Sequence, residues 1–126
     1  MFAKSHFHNQ GLSLLVIHAR DMQKSVEFYR SLGLCFERHS HPPCGVHFAT
    51  VDGNCVFEIC QSRKGQPPHS PITFGFNVSS VEDAVNEARA LGGKVKREPH
   101  DAQWGRSATL TDPDGNCVLL MSIGSA

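Results

Sequence analysis

Apolar and polar residues follow two periods along this chain, and the order of these periods occurs twice. Residues 12–18 form a short apolar run rich in branched side chains, which predicts a buried strand. Residues 34–40, 46–51 and 55–61 also have the composition of strands and are separated by turn residues. Between the first two strands, five residues recur at helical spacing and predict one face of an amphipathic helix: Met22, Ser25, Val26, Tyr29 and Leu32. The predicted order is β-α-β-β-β.

The second half of the chain predicts the same order. Strands are expected at residues 72–78, 94–98, 105–111 and 116–123. The buried face of the second helix lies 59 residues after that of the first: Val81, Ala84, Val85, Ala88 and Leu91. Asp21 and Ser80 stand where the two helices need an N-cap, and Gly33 and Gly92 stand where they end.

A repeated pentapeptide supports a duplication, because the letters of residues 52–56 return at residues 114–118. Two such units predict a pseudo-two-fold pair with a concave seam in which a ligand can bind. Cys55 and Cys117 match within the repeat, and in apolar stretches they are expected to act as small hydrophobic residues.

Proline and glycine residues between positions 62 and 71 predict a linker, since they do not fit a central strand or a helix interior. The expected organisation is a flexible tail at residues 1–11 and one domain at residues 12–124. This domain consists of module 12–62, linker 63–71 and module 72–123.

Charge and cysteine content exclude several classes of protein. Twelve basic and twelve acidic residues give zero formal charge, so no nucleic-acid or membrane-surface partner is expected. The sequence contains no apolar run of about 18 residues that would cross a membrane. Five cysteines without a CxxC spacing indicate free thiols in a reducing compartment, and we expect a cytoplasmic protein.

Two motifs on this repeat carry a family resemblance. The string at residues 20–29, followed by Leu-Gly-Leu at 32–34, resembles the opening helix of the vicinal oxygen chelate superfamily, which includes glyoxalase I, bleomycin-resistance proteins and extradiol dioxygenases. Residues 112–116 resemble its closing hairpin, and Trp104-Gly105-Arg106 is similar to a frequent companion. The resemblance implies an α+β fold of two tandem β-α-β-β-β modules, whose curved mixed sheet surrounds a cleft. It also implies a homodimer.

The same resemblance implies where metal ligands would stand in this sequence. The four positions are occupied by Leu14, Glu58, Thr73 and Leu119. A divalent metal needs three or four converging N, O or S ligands, which one glutamate among these residues does not supply. We therefore predict no metal and no cofactor. Pairing Leu119 with Phe57 through the repeated letters would turn Glu58 away from the cavity, but burying an unpaired carboxylate against the helix is unfavourable.

Several residues are candidates for ligand contacts, each with a structural alternative. Glu58 can act as a general base in an apolar cavity, or it can be a carboxylate satisfied by neighbouring donors. His18 and its repeat counterpart Asn77 can bind a ligand at one end of the cavity, or cap helix termini. His47 follows a hairpin whose other imidazoles, at His39 and His41, are expected to be solvated.

Trp104 and Arg106 can hold a flat or anionic small molecule by stacking and ion pairing. The alternative for Trp104 is packing at a subunit interface. We expect a metal-independent protein that binds a small organic ligand in the cleft between the modules. The alternative is a glyoxalase-like lyase or isomerase that uses Glu58 as general base or metal ligand, and antibiotic sequestration is a third possibility.

Overall fold

A computed structural model describes residues 11–41, 45–64, 71–103 and 105–122. The first unit contains these elements: β1 Leu14–Ala19, α1 Met22–Arg30, β2 Glu37–His41, β3 Gly45–Asp52 and β4 Cys55–Gln61. The second contains their counterparts: β5 Thr73–Asn77, α2 Val81–Ala90, β6 Lys94–Ala102, β7 Gly105–Thr111 and β8 Cys117–Ser122. The predicted α+β class with two β-α-β-β-β modules is confirmed. The tail at 1–10, the linker segment 65–70 and Trp104 lie outside the described residues.

Each helix begins at the polar residue that the sequence marks as its cap. The Asp21 carboxylate accepts a hydrogen bond from the backbone N–H of Lys24 at 3.1 Å. The Ser80 hydroxyl accepts one from the N–H of Asp83 at 3.2 Å. These bonds satisfy amide groups that have no partner within the helix. No helix in the described part of the chain is long and apolar enough to cross a membrane.

The two modules contain separate four-stranded sheets with equivalent strand orders, β1-β4-β3-β2 and β5-β8-β7-β6. β1 pairs with β4 in parallel, and β3 pairs antiparallel with both β2 and β4. The second sheet has the same pairing, with β5 parallel to β8.

β6 extends four residues beyond the predicted end at position 98, and Pro99 lies inside it. Its pairing with β7 shifts register between Arg97 and His100, so Pro99 lies within an irregularity of the ladder. β6 is also an edge strand of its sheet. An edge strand tolerates proline because one side of it needs no partner amide.

Each sheet has one face covered by helices and one open face. In β1, Ile17 and Ala19 are fully buried against the core, whereas Leu14 and His18 on the other face are exposed. In β5, exposed Thr73, Gly75 and Asn77 alternate with half-buried Phe74 and Phe76. These alternations follow from the two-residue period of a strand.

An aromatic cluster joins the helix-covered faces of the two sheets. The Phe57 ring, on the helix-covered face of β4, lies 5.6 Å from Phe74 and 6.1 Å from Phe76 on β5. Tyr29 of α1 contacts the same two rings at 5.9 and 6.3 Å. The helix-covered faces therefore share one core, and the open faces are turned away from it.

The repeated pentapeptide occupies different positions in the two sheets. Val56 pairs with Leu14 on an open face, whereas Val118 pairs with Phe74 and is fully buried. The position equivalent to Val56 is Cys117, which pairs with Thr73. The match of Cys55 with Cys117 by letters is therefore wrong in structural register.

Candidate functional site

Glu58 lies near the middle of the first module's open face. On β4 it pairs with Val16 of β1 on one side and Ala49 of β3 on the other. Its neighbours along the strand, Phe57 and Ile59, are buried in the core. Since successive strand residues point to opposite faces, the Glu58 side chain is on the open face. The counterpart of Glu58 in the second module is Leu119. Leu119 pairs with Gly75 of β5, as Glu58 pairs with Val16 of β1.

A cavity of about 600 Å³ lies over this part of the sheet. Glu58, Ala49 and Val56 contribute to its floor, and Val51 and Glu37 are among the other residues that line it. Its volume lies in the range of about 300–1,000 Å³ that is typical of small-molecule sites. In the described chain, no side-chain hydrogen bond or ion pair joins Glu58 to another described residue. Its carboxylate can therefore accept hydrogen bonds from a ligand.

Next to Glu58, a row of imidazole and thiol side chains crosses the open face. The row follows the strand register from β1 to β2: His18, Cys60, His47 and His39. His47 is only 3% exposed, and its Nδ1 lies 3.1 Å from the carbonyl oxygen of Gly45. The rings of His39 and His47 stack with centroids 5.7 Å apart. His47 is thus a buried side chain among the residues that line the cavity, and ligand contact by His47 stays a prediction.

The four positions that the resemblance assigns to metal ligands do not fit a metal. Leu14 and Leu119 have no donor atom, which leaves the Glu58 carboxylate and the Thr73 hydroxyl. These two residues also lie on open faces that do not oppose each other within a chain. Among the described residues, no group of three or more histidine, cysteine, aspartate or glutamate side chains could hold a metal ion. The donor set therefore disagrees with a metal centre of this type.

The remaining predicted contact residues lie apart from Glu58. Asn77 is exposed on the second module's open face. Arg106 pairs in register with Asp101, and its guanidinium donates to Glu82 of α2 at 2.8 Å and to Asp101 at 3.2 Å. The hydrogen bond that Arg106 donates to Glu82 lowers the pKa of the Glu82 carboxyl and raises the pKa of the Arg106 guanidinium. The guanidinium is thus held at the helix-covered face, and ligand contact by Arg106 stays a prediction.

Sequence reasoning did not identify Glu37 or Val51 as part of the site. Glu37 pairs with Ala49, so it belongs to the same cross-strand row as Glu58. Val51 pairs with Val56 and is 71% exposed, which extends the apolar part of the cavity. Both residues join the site through the pairing register between strands, which cannot be read from the sequence of one strand alone.

Comparisons with known proteins agree with this architecture. A family model described as the Glyoxalase/Bleomycin resistance protein/Dioxygenase superfamily matches residues 11–120. No curated protein matches the chain.

Solved structures share the fold at low identity. The antibiotic binding protein TnmS3 from Streptomyces sp. CB03234 is 20% identical with a TM-score of 0.74, over 94% of this chain and 100% of that one. A glyoxalase/bleomycin resistance protein from Albidiferax ferrireducens T118 is 23% identical with a TM-score of 0.69, over 88% and 97%. Hypothetical protein SA1046 from S. aureus is 23% identical with a TM-score of 0.64, over 92% and 95%.

Proposed function

Because this chain belongs to the Glyoxalase/Bleomycin resistance protein/Dioxygenase superfamily, we propose that it is a metal-independent protein that binds a small organic molecule on the first module's open face. The observation that carries this proposal is the position of Glu58, in the cavity of about 600 Å³ and without a described ion-pair partner. A similar fold occurs in a protein described as antibiotic binding, which is consistent with ligand binding on this scaffold.

The cavity favours a ligand with an apolar body and an N–H donor. Leu14, Val51 and Val56 form one cross-strand row of apolar side chains, and Leu14 is 51% exposed. An aromatic or aliphatic body placed over this row removes apolar surface from water, at about 25 cal/mol per Å². Glu58 lies in the next row, where its carboxylate accepts hydrogen bonds from an amine or amide of the ligand.

A homodimer is part of this proposal. The open faces of one chain are turned outward, so a cleft between two modules forms only when the first module of one copy meets the second module of another. A two-fold dimer would contain two such clefts. Sedimentation of the full chain tests this point, since a monomer at micromolar concentration would contradict it.

Phenethylamine is a suitable probe because it combines an aromatic body with a single ammonium group. We expect its titration into chelator-treated protein to shift amide resonances of β3 and β4, and Glu58→Gln to weaken binding about tenfold or more. Arg89→Gln is the matched control, because Arg89 lies on α2 and pairs with Glu98 of β6. Binding only after addition of a divalent metal, or shifts confined to other elements, would contradict the proposal. The lyase or isomerase alternative predicts chemical conversion of a bound compound, which would produce new ligand resonances.

A further inference from the structure

A basic side chain lies on the second module's open face at a position where the first module has an acidic one. Arg97 pairs with Thr109, which pairs with Leu119. The equivalent row of the first module runs from Glu37 through Ala49 to Glu58. Arg97 therefore occupies the position of Glu37, with the opposite charge.

This exchange of charge is not evident from the repeat in the sequence. By letters, Arg97 matches Arg38, which lies 59 residues earlier. In the structure Arg38 pairs with Phe48, which is buried in the core. The register shifts on either side of Arg97 in β6 place it in line with Thr109, on the open face. The register shift between Val95 and Arg97 thus puts a basic side chain on the open face.

The charges on the open faces have few partners within the chain, unlike those near the helices. Arg89 and Arg106 pair with Glu98 and Glu82, at 2.7 Å in each case. Lys94, which pairs in register with Thr111, and Arg97 make no ion pair with any described residue, and both are exposed. Glu58 has no such pair either. Glu37, in contrast, lies 3.8 Å from Nε2 of His39. The unpaired Glu58 carboxylate on one open face and the unpaired basic groups on the other are complementary between two copies.

We infer that Arg97 of a second copy completes the Glu58 site and that the ligand is a small zwitterion. Its cationic group meets the carboxylates of Glu58 and Glu37, and its anionic group meets the guanidinium of Arg97 across the cleft. This inference rests on the proposed function. It adds that the ligand carries an anionic group and that the residue binding this group comes from the second copy. An arginine suits this role because its planar guanidinium binds a carboxylate through two parallel hydrogen bonds.

Three probes share a phenyl ring on a short alkyl chain and differ in charge. Phenylalanine is zwitterionic, phenethylamine is cationic and 3-phenylpropionate is anionic. We expect phenylalanine to bind about tenfold or more tightly than phenethylamine, since one charge-assisted hydrogen bond contributes a factor of that order. Arg97→Gln should remove this preference by weakening phenylalanine binding about tenfold, whereas Arg89→Gln, on α2, should leave the preference intact. Phenylalanine that binds no more tightly than phenethylamine would overturn the inference but not the proposed function. If phenethylamine also fails to bind to the open face, the proposed function fails as well.

Mixing two variants tests whether the site is shared between chains. In a dimer of one Glu58→Gln chain and one Arg97→Gln chain, one cleft has both substitutions and the other has neither. Random reassociation should therefore restore about a quarter of the high-affinity phenylalanine sites, since a two-fold dimer has two equivalent clefts. No restoration after verified subunit exchange would place Arg97 outside the Glu58 site and overturn the inference. Mixing Glu58→Gln with Arg89→Gln gives the reference, because Arg89 lies on α2, away from the open faces.

Discussion

The hydroxyl of Tyr29 donates a hydrogen bond of 2.6 Å to Oδ2 of Asp112, 83 residues further along the chain. Tyr29 lies on α1 of the first module, and Asp112 begins the hairpin between β7 and β8 of the second. The Asp112 carboxylate also accepts hydrogen bonds from the backbone N–H groups of Asp114 and Asn116, both at 2.9 Å. Asp114 in turn accepts the Ser25 hydroxyl at 3.1 Å. The hairpin thus fastens α1 to the second sheet.

Tyr29→Phe should lower the free energy of unfolding by about 1.5–3 kcal/mol, because a buried carboxylate loses one donor. The ring contacts with Phe57 and Phe74 are retained in this variant. Denaturant unfolding measures the change. The exposed pair of Arg89 and Glu98 gives the comparison, since Arg89→Gln should cost less than about 1 kcal/mol. Equal losses in the two variants would contradict the role of the buried bond.

Alkaline pH should destabilise the wild-type protein through Tyr29. Burial, followed by the negative charge of Asp112, raises the pKa of the Tyr29 phenol well above its usual value. Below about pH 10 the phenol is protonated in both states, and its contribution to stability is intact. Above that pH the unfolded chain releases the proton while the folded chain retains it, so stability falls as pH rises. Unfolding measured between about pH 8 and 11 should show a steeper fall for wild type than for Tyr29→Phe.

Glu58→Gln should leave the free energy of unfolding within about 0.5 kcal/mol of wild type, because the side chain makes no described ion pair. Its effect should appear in phenethylamine affinity. Arg106→Gln should instead lower the free energy of unfolding and leave phenethylamine affinity unchanged, since this guanidinium pairs with Glu82 and Asp101. Loss of phenethylamine binding in Arg106→Gln with normal folding would instead support the ligand contact predicted from sequence.

Gly93→Ala should destabilise the protein by about 1–3 kcal/mol, in the range of overpacked cores. A Cβ at this position would lie 2.6 Å from Cε1 of Phe28 and 2.9 Å from the carbonyl oxygen of Ala88. The first contact belongs to α1, so the strain would fall where the modules meet. Asn86→Ala, at an exposed position of α2, is the control and should change stability by less than about 0.5 kcal/mol. Thermal unfolding distinguishes the two variants.

Chelator treatment should leave both the melting temperature and phenethylamine affinity unchanged. Leu14, Thr73 and Leu119 offer at most one hydroxyl to a metal beside Glu58. Elemental analysis before and after treatment is the necessary control. A stoichiometric first-row metal whose removal abolishes binding would contradict this prediction.

Hydrophobic periodicity was sufficient to predict the two modules and both helix caps, since these depend on local spacing and on single polar side chains. It was not sufficient for register. β3 and β4 join through a two-residue loop between Asp52 and Cys55, whereas β7 and β8 leave five residues between Thr111 and Cys117. Identical letters therefore enter the two sheets at different positions. The packing partner of each strand was also not predictable, because periodicity predicts a strand at residues 72–78 but not that Phe74 contacts Tyr29.

The aromatic cluster and the Tyr29–Asp112 bond join residues that are far apart in the sequence, so neither can form before the second unit has been synthesised. When the first β-α-β-β-β unit has left the ribosome, the rings of Tyr29 and Phe57 still lack the phenylalanines that cover them. The carboxylate that binds the phenol follows near the carboxyl terminus. A nascent first half would expose the apolar surface of these rings, so the two halves are expected to fold together rather than one after the other. Contacts this distant in sequence also slow folding.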